Sequence, residues 1–232
     1  MAPEAIQGAA PLIQACGNPE DALEGAQTVL EALPESLALK AGLWARIGPS
    51  AAPGALLLTG SSSISLASIR KAAQLSRPLL GFHLFLPLER MQVVELVSEP
   101  EVHAEDLARA EDLAKCLDKR AVRVQDGPGY AASRMALAQG LEAMRLLETG
   151  VAAAGDLDAL MVQGYGHPVG PLELSDRIGL DLRLAIAEGI HREEGDPRFQ
   201  PPAILRRLVA EGRLGRKSGQ GFHSWHEGEL RP

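Results

Sequence analysis

Apolar residues follow two rhythms along the 232 residues, and the change comes just past the middle. Up to about residue 125, short apolar runs alternate with longer amphipathic stretches. "QTVLEAL" (27–33), "GALLLTG" (54–60), "PLLGFHLFLP" (78–87), "QVVELV" (92–97) and "AVRVQ" (121–125) are short runs between Gly, Pro or polar residues, which predicts strands. "PESLALKAGLWARIG" (34–48), "SISLASIRKAAQL" (63–75) and "HAEDLARAEDLAKCLDK" (103–119) predict helices. In the last, Leu107, Ala110, Leu113 and Leu117 recur at helical spacing. Strands alternating with helices predict an α/β layer around a largely parallel sheet.

"DGPGY" (126–130) breaks this pattern, and no convincing strand follows it. Helices are predicted over 131–150, ending at Gly150, over 156–166, over 170–195 with a glycine interruption, and over 201–212, which opens on Pro. The glycine-rich end, "RLGRKSGQGFHSWHEGELRP", closes the domain. The reading is an α/β domain over 1–126 and an all-α domain over 127–232.

Composition narrows the partners. With 46% hydrophobic and 23% charged residues the chain is globular, and a net charge of −7 argues against nucleic acid or an anionic membrane as partner. No apolar run approaches the ~20 residues of a membrane span. Cys16 and Cys116 have neither metal-type spacing nor the look of a disulfide framework, and "MAPEAIQGAA" has no signal-peptide pattern. A cytoplasmic setting is therefore expected. The six histidines include no i,i+4 pair, so no metal site is expected.

The strongest candidates for chemistry are His83 and Glu95, each inside an apolar predicted strand, where a bare polar group is costly. A carboxylate on one ring nitrogen would orient the imidazole and leave the other to exchange a proton with a substrate. Spacing alone leaves open that both serve only the fold. "TGSSSIS" (59–65) follows a strand and precedes a helix, where an open α/β sheet binds ligands. Its hydroxyls and helix amides suit an anion or a carbonyl, with plain helix capping as the competing use. His167, before a proline in a turn, reads as structural. No G-x-G-x-x-G joins a predicted strand to a helix; "SGQGF" (218–222) lacks that context.

Several ordered stretches together resemble one family. "VLEALPESLALK", "TGSSSIS", "GFHLFLP", "VVELV", "DGPGYAASR", "GHPVGPLELSDRIGLD" and "GRLGRKSGQGF" are similar, from about residue 27 to 225, to the short-chain 3-hydroxyacyl-CoA dehydrogenases, 3-hydroxybutyryl-CoA dehydrogenases included. The resemblance implies a Rossmann-like domain followed by a helical dimerisation domain, NAD as cofactor, an acyl-CoA substrate and a homodimer built through the C-terminal helices. It implies His83 as general acid/base, Glu95 as its orienting partner, Ser62 in contact with substrate and cofactor, and Glu35 and Lys40 in contact with the cofactor. Ser133 takes the place of an asparagine that helps bind the substrate carbonyl. The implied reaction is hydride transfer between NAD and C3 of a hydroxyacyl-CoA, with His83 moving the hydroxyl proton.

The chain departs from the family pattern in two respects. The opening strand, glycine turn, helix and acidic second strand are not among these residues, so the α/β domain reads as a truncated doubly wound sheet. The expectation is weak NAD binding or none by this chain alone, and an apolar edge at 27–33 that pairs with another molecule. Gly60, Leu86 and Ser133 stand where the family has asparagines. A non-catalytic acyl-CoA-binding or dimerising relative is the competing expectation.

Overall fold

The computed structural model describes residues 10–227 and 229–230. The chain divides after Tyr130 into two compact units. In the first, β1 (Thr28–Glu31), β2 (Leu56–Thr59), β3 (Leu80–Leu84), β4 (Val93–Ser98) and β5 (Arg120–Gln125) lie in chain order in one sheet. Helices α1 (Leu37–Ile47), α2 (Leu66–Ala73) and α3 (Ala104–Cys116) carry three of the connections, and those strand pairs are parallel. The fourth connection, residues 85–92, is too short for a crossover, so β4 returns antiparallel to β3.

The period of two along a strand sorts the core. Leu56, Leu58, Leu80, Phe82, Val94 and Leu96 pack with Ala110 and Ala114 of α3. Leu57 and Val97 face the other way, onto Trp44 and Ile47 of α1 and Leu66 and Ile69 of α2. Among the described residues β1 has β2 as its only neighbour, which places the apolar run at 27–33 on an edge. Leu30 is 42% exposed there, and Val29, Leu30, Leu43 and Ile47 line a groove of about 280 Å³.

The second unit is built from α4 (Ala132–Glu148), α5 (Ala154–Ala159), α6 (Pro171–Ile178), α7 (Leu180–Glu194) and α8 (Ala203–Ala210). Leu137, Leu141, Met144, Leu172, Leu180 and Ile190 form its centre. The helix predicted over 156–166 is α5 followed by a π-helical turn, Leu160–Gly164. The glycine interruption in 170–195 is a full break at Gly179, whose φ of +107° ends α6 and opens α7. Contrary to expectation the unit contains strands: β6 (Trp225–His226) and β7 (Glu229–Leu230) pair antiparallel. Two residues a side are too few to show an alternating pattern. The sequence boundary at 126/127 falls slightly early. Gly129 N–H donates to Ser63 O (2.7 Å) and Tyr130 Oη–H to Ile64 O (2.9 Å), which keeps 127–130 with the first unit.

Two aspartates explain the glycine-rich end. Asp176 accepts from the N–H groups of Phe222 and His223, both at 2.9 Å, and from Trp225 Nε1 at 3.0 Å. A Cβ at Gly215 or Gly221 would collide with Asp176. "SGQGF" is thus a clasp around a buried carboxylate. Asp158 accepts from Leu172 N (2.8 Å) and Glu173 N (2.9 Å), capping α6, and its Oδ2 lies 2.8 Å from His223 Nε2. No helix among the described residues is long and apolar enough to cross a membrane.

Candidate active site

Antiparallel pairing sets His83 directly opposite Glu95, so the two side chains share one face of the sheet. Nδ1 of His83 and Oε2 of Glu95 are 2.6 Å apart, and the residues are 7% and 4% exposed. A carboxylate there accepts a hydrogen bond from Nδ1–H, the tautomer that leaves the ring's lone pair on Nε2. The imidazole is braced by Phe85, with ring centres 4.6 Å apart, and Tyr130 lies farther off at 6.1 Å.

The serine loop after β2 is organised by Glu35. Its Oε1 accepts from the N–H groups of Ser62 (3.0 Å), Ser63 (2.6 Å) and Ile64 (3.1 Å) and from the hydroxyls of Ser61 (2.9 Å) and Ser63 (2.8 Å). Burial pushes the Glu35 pKa up, but the Ser63 and Ser61 donors and the Lys40 charge outweigh it and hold the carboxyl below its ordinary value. At the start of α2, Asp126 accepts from Leu66 N (2.8 Å) and Ala67 N (2.9 Å), and Ser65 Oγ from Ser68 N (3.3 Å). The amides at the start of α2 and in the serine loop are therefore held by the chain's own carboxylates and a capping serine, which is the capping use of this stretch.

The expected site residues fall into three places. His83 and Glu95 are a buried pair, and Tyr130 connects them to the Ser62 loop: its hydroxyl bonds Ile64 and its ring neighbours His83. Lys40 is 1% exposed, with Nζ 2.9 Å from Glu31 Oε1 and 2.9 Å from Leu33 O. Ser133, half-buried, belongs to α4 of the second unit. Leu86 is 79% exposed on the loop that follows β3.

Tyr130 was not legible as a site residue. It is buried with φ at +47°, a left-handed backbone that is strained for a bulky side chain, and burial pushes its phenol pKa up so that it stays neutral. The "DGPGY" break was its only trace in the sequence. Glu31 and Thr59, joined by a 2.5 Å hydrogen bond, were missed because each sits at the end of an apolar run that reads as ordinary strand.

Residues 1–127 match the sequence profile of the 3-hydroxyacyl-CoA dehydrogenase NAD binding domain, and residues 129–225 that of the C-terminal domain. The chain is 35% identical over 198 residues to the mitochondrial hydroxyacyl-coenzyme A dehydrogenase of Sus scrofa, covering 85% of this chain and 63% of that protein. It is 36% identical over 205 residues to a 3-hydroxybutyryl-CoA dehydrogenase of Mycobacterium tuberculosis, covering 88% of this chain and 72% of that one. The crystal structure of M. tuberculosis FadB2 superposes with a TM-score of 0.90 at 33% identity, over 97% of this chain and 80% of that one. This chain therefore spans less than two thirds of the pig protein's length. Two domain profiles matched in order, an α/β unit ahead of a helical one, and a close superposition lead to one conclusion: the chain belongs to the 3-hydroxyacyl-CoA dehydrogenase family, and its first domain is of that family's NAD-binding type.

Proposed function

We propose that this chain performs the proton-transfer part of NAD-dependent oxidation of the 3-hydroxyl of a 3-hydroxyacyl-CoA. The observation that carries the reading is the buried 2.6 Å pair of His83 and Glu95. His83 Nε2 takes the hydroxyl proton, and Glu95 stabilises the imidazolium that forms. NAD, when bound, accepts the hydride from C3. Ser62 and Ser133 are the substrate-facing hydroxyls in this reading. Serine keeps a donor at 133 with a shorter reach than asparagine, whereas Leu86 and Gly60 supply none. Losing one positioned donor to a developing oxyanion lowers a rate by about 10²–10³.

The fit to NAD is confined to the reacting end. No G-x-G-x-x-G turn occurs in the 232 residues, and β1 has an open outer edge among the described residues, so these residues offer no glycine turn for a pyrophosphate. That observation favours a second reading, an acyl-CoA-binding or dimerising relative that does not bind NAD. The open edge also supports strand pairing with another molecule. Exposed Met135, Leu160 and Tyr165 support a homodimer through the C-terminal helices, and the exposed free thiols of Cys16 and Cys116 suit the cytoplasm.

NADH titration of the purified chain, followed by fluorescence, separates the readings. Saturable binding together with acetoacetyl-CoA reduction supports the dehydrogenase. Acetoacetyl-CoA binding without NADH binding supports the second reading and sinks the first.

A further inference from the structure

Lys40 is enclosed by acceptors of its own chain. Its ammonium is directed at Glu31 Oε1 (2.9 Å) and Oε2 (3.2 Å), at Leu33 O (2.9 Å) and, more distantly, at Glu35 Oε2 (3.7 Å). An ammonium has three N–H donors, and these partners account for them. We infer that Glu31 and Lys40 are a buried positioning pair that holds Glu35 on the backbone of Ser62–Ile64 and so fixes the loop carrying Ser62.

The connections run through side chain and backbone alike. Glu31 closes β1 directly opposite Thr59 at the end of β2. Thr59 Oγ1–H donates to Glu31 Oε2 (2.5 Å), and the same oxygen accepts from Ser61 N (3.3 Å). Gly60 N–H donates to Glu31 O at 2.8 Å. The first turn of the serine loop is thus fastened to Glu31, and the remainder to Glu35. Two carboxylates this close to one another would repel, and Lys40 lies between them. A lone charge left in such a place is strongly destabilising, whereas removing both members of a buried pair often is not. That asymmetry makes the pair testable.

The variant E31Q/K40M removes both charges, preserves side-chain length and leaves a carbonyl oxygen for Thr59. Its readout is the pH titration of the Ser62, Ser63 and Ile64 amide resonances, which follow the charge on Glu35; E35Q, which abolishes that titration, identifies it. In the native protein the midpoint lies below 4.5, the ordinary carboxyl value. In E31Q/K40M the expected result is a midpoint shifted upward, with circular dichroism unchanged. An unchanged midpoint in a folded variant overturns the inference. Should the variant not fold, the native protein decides. Nuclear Overhauser contacts from the protected Lys40 ammonium to the side chains of both Glu31 and Glu35 must be present, and absence of the contact to Glu35 overturns the inference. The bearing on catalysis rests on the function proposed above. The loop readout needs neither substrate nor NADH, so either idea can fail alone.

Discussion

Each unit of the molecule holds a histidine paired with a buried carboxylate, and the two pairs are alike in distance but unlike in company. His83 and Glu95 are 2.6 Å apart, His223 and Asp158 2.8 Å. Asp158 already accepts two amides at the start of α6, so its position is fixed whether or not the imidazole is present. His223 is pinned by its own backbone to Asp176 and uses Nε2, the nitrogen that would have to face a substrate. Glu95 lies mid-strand between buried Val94 and Leu96, and His83 engages it through Nδ1 rather than Nε2. A short histidine–carboxylate contact is therefore shared by fold and chemistry. What separates them is which nitrogen is used.

Substitutions can break that contrast. The largest effect is expected at His83. H83A should lower acetoacetyl-CoA reduction by about 10²–10⁴-fold with the far-ultraviolet spectrum unchanged, and E95Q should fall between H83A and the native protein. Equal activity of H83A and native protein would remove His83 from the chemistry. In the second unit the large effect moves from rate to stability. D176A strands three donors and should cost about 3–5 kcal/mol in denaturant unfolding, with Trp225 emission shifted to the red. G221A forces a Cβ against Asp176 and should cost about 1–3 kcal/mol in the same measurement.

The smallest effect is the dependence on pH. The hydrogen bond that His223 donates to Asp158, against the opposing effect of burial, holds the His223 pKa above 6.5. The stabilisation is complete below 6.5, the unfolded value, and is lost as pH rises through the folded value. Calorimetry should show Tm falling by about 1–3 °C more in the native protein than in H223Q between about pH 6 and about pH 8. Identical profiles would mean that the pair contributes nothing to the clasp.

What was legible in the sequence was local. Runs such as "GALLLTG" and repeats such as Leu107, Ala110, Leu113 and Leu117 carry their own period, and the elements lie where the period places them. The antiparallel return over residues 85–92, which sets His83 against Glu95, was not drawn from the pattern, because the apolar runs at 78–87 and 92–97 blur where each strand ends. Glu35 could be named from its motif, but not its capture of amides 27 to 29 positions away, because a carboxylate's partner is chosen by the fold. The burial of Lys40 was not legible for the same reason: only the ends of β1 and β2 show that it is enclosed. The two-residue strands β6 and β7 and the π-helical turn at Leu160–Gly164 are too short to leave a periodic trace.

The clasp at the end of the chain leaves a mark that can be sought in other chains of this fold. Gly215 closes on the Asp176 backbone, whereas Gly221 closes on the carboxylate of Asp176 and admits no methyl group while that carboxylate stays in place. Gly170 stands in the same relation to Asp158. These positions are not free to vary one at a time. A chain that gains a side chain at 221 must shrink or move the acid at 176, and one that changes 170 must yield at 158, while 215 stays glycine whatever the acid does. Divergence through this segment should therefore proceed by paired replacements, so that the geometry of the clasp can be recovered from correlated changes among relatives without any structure in hand.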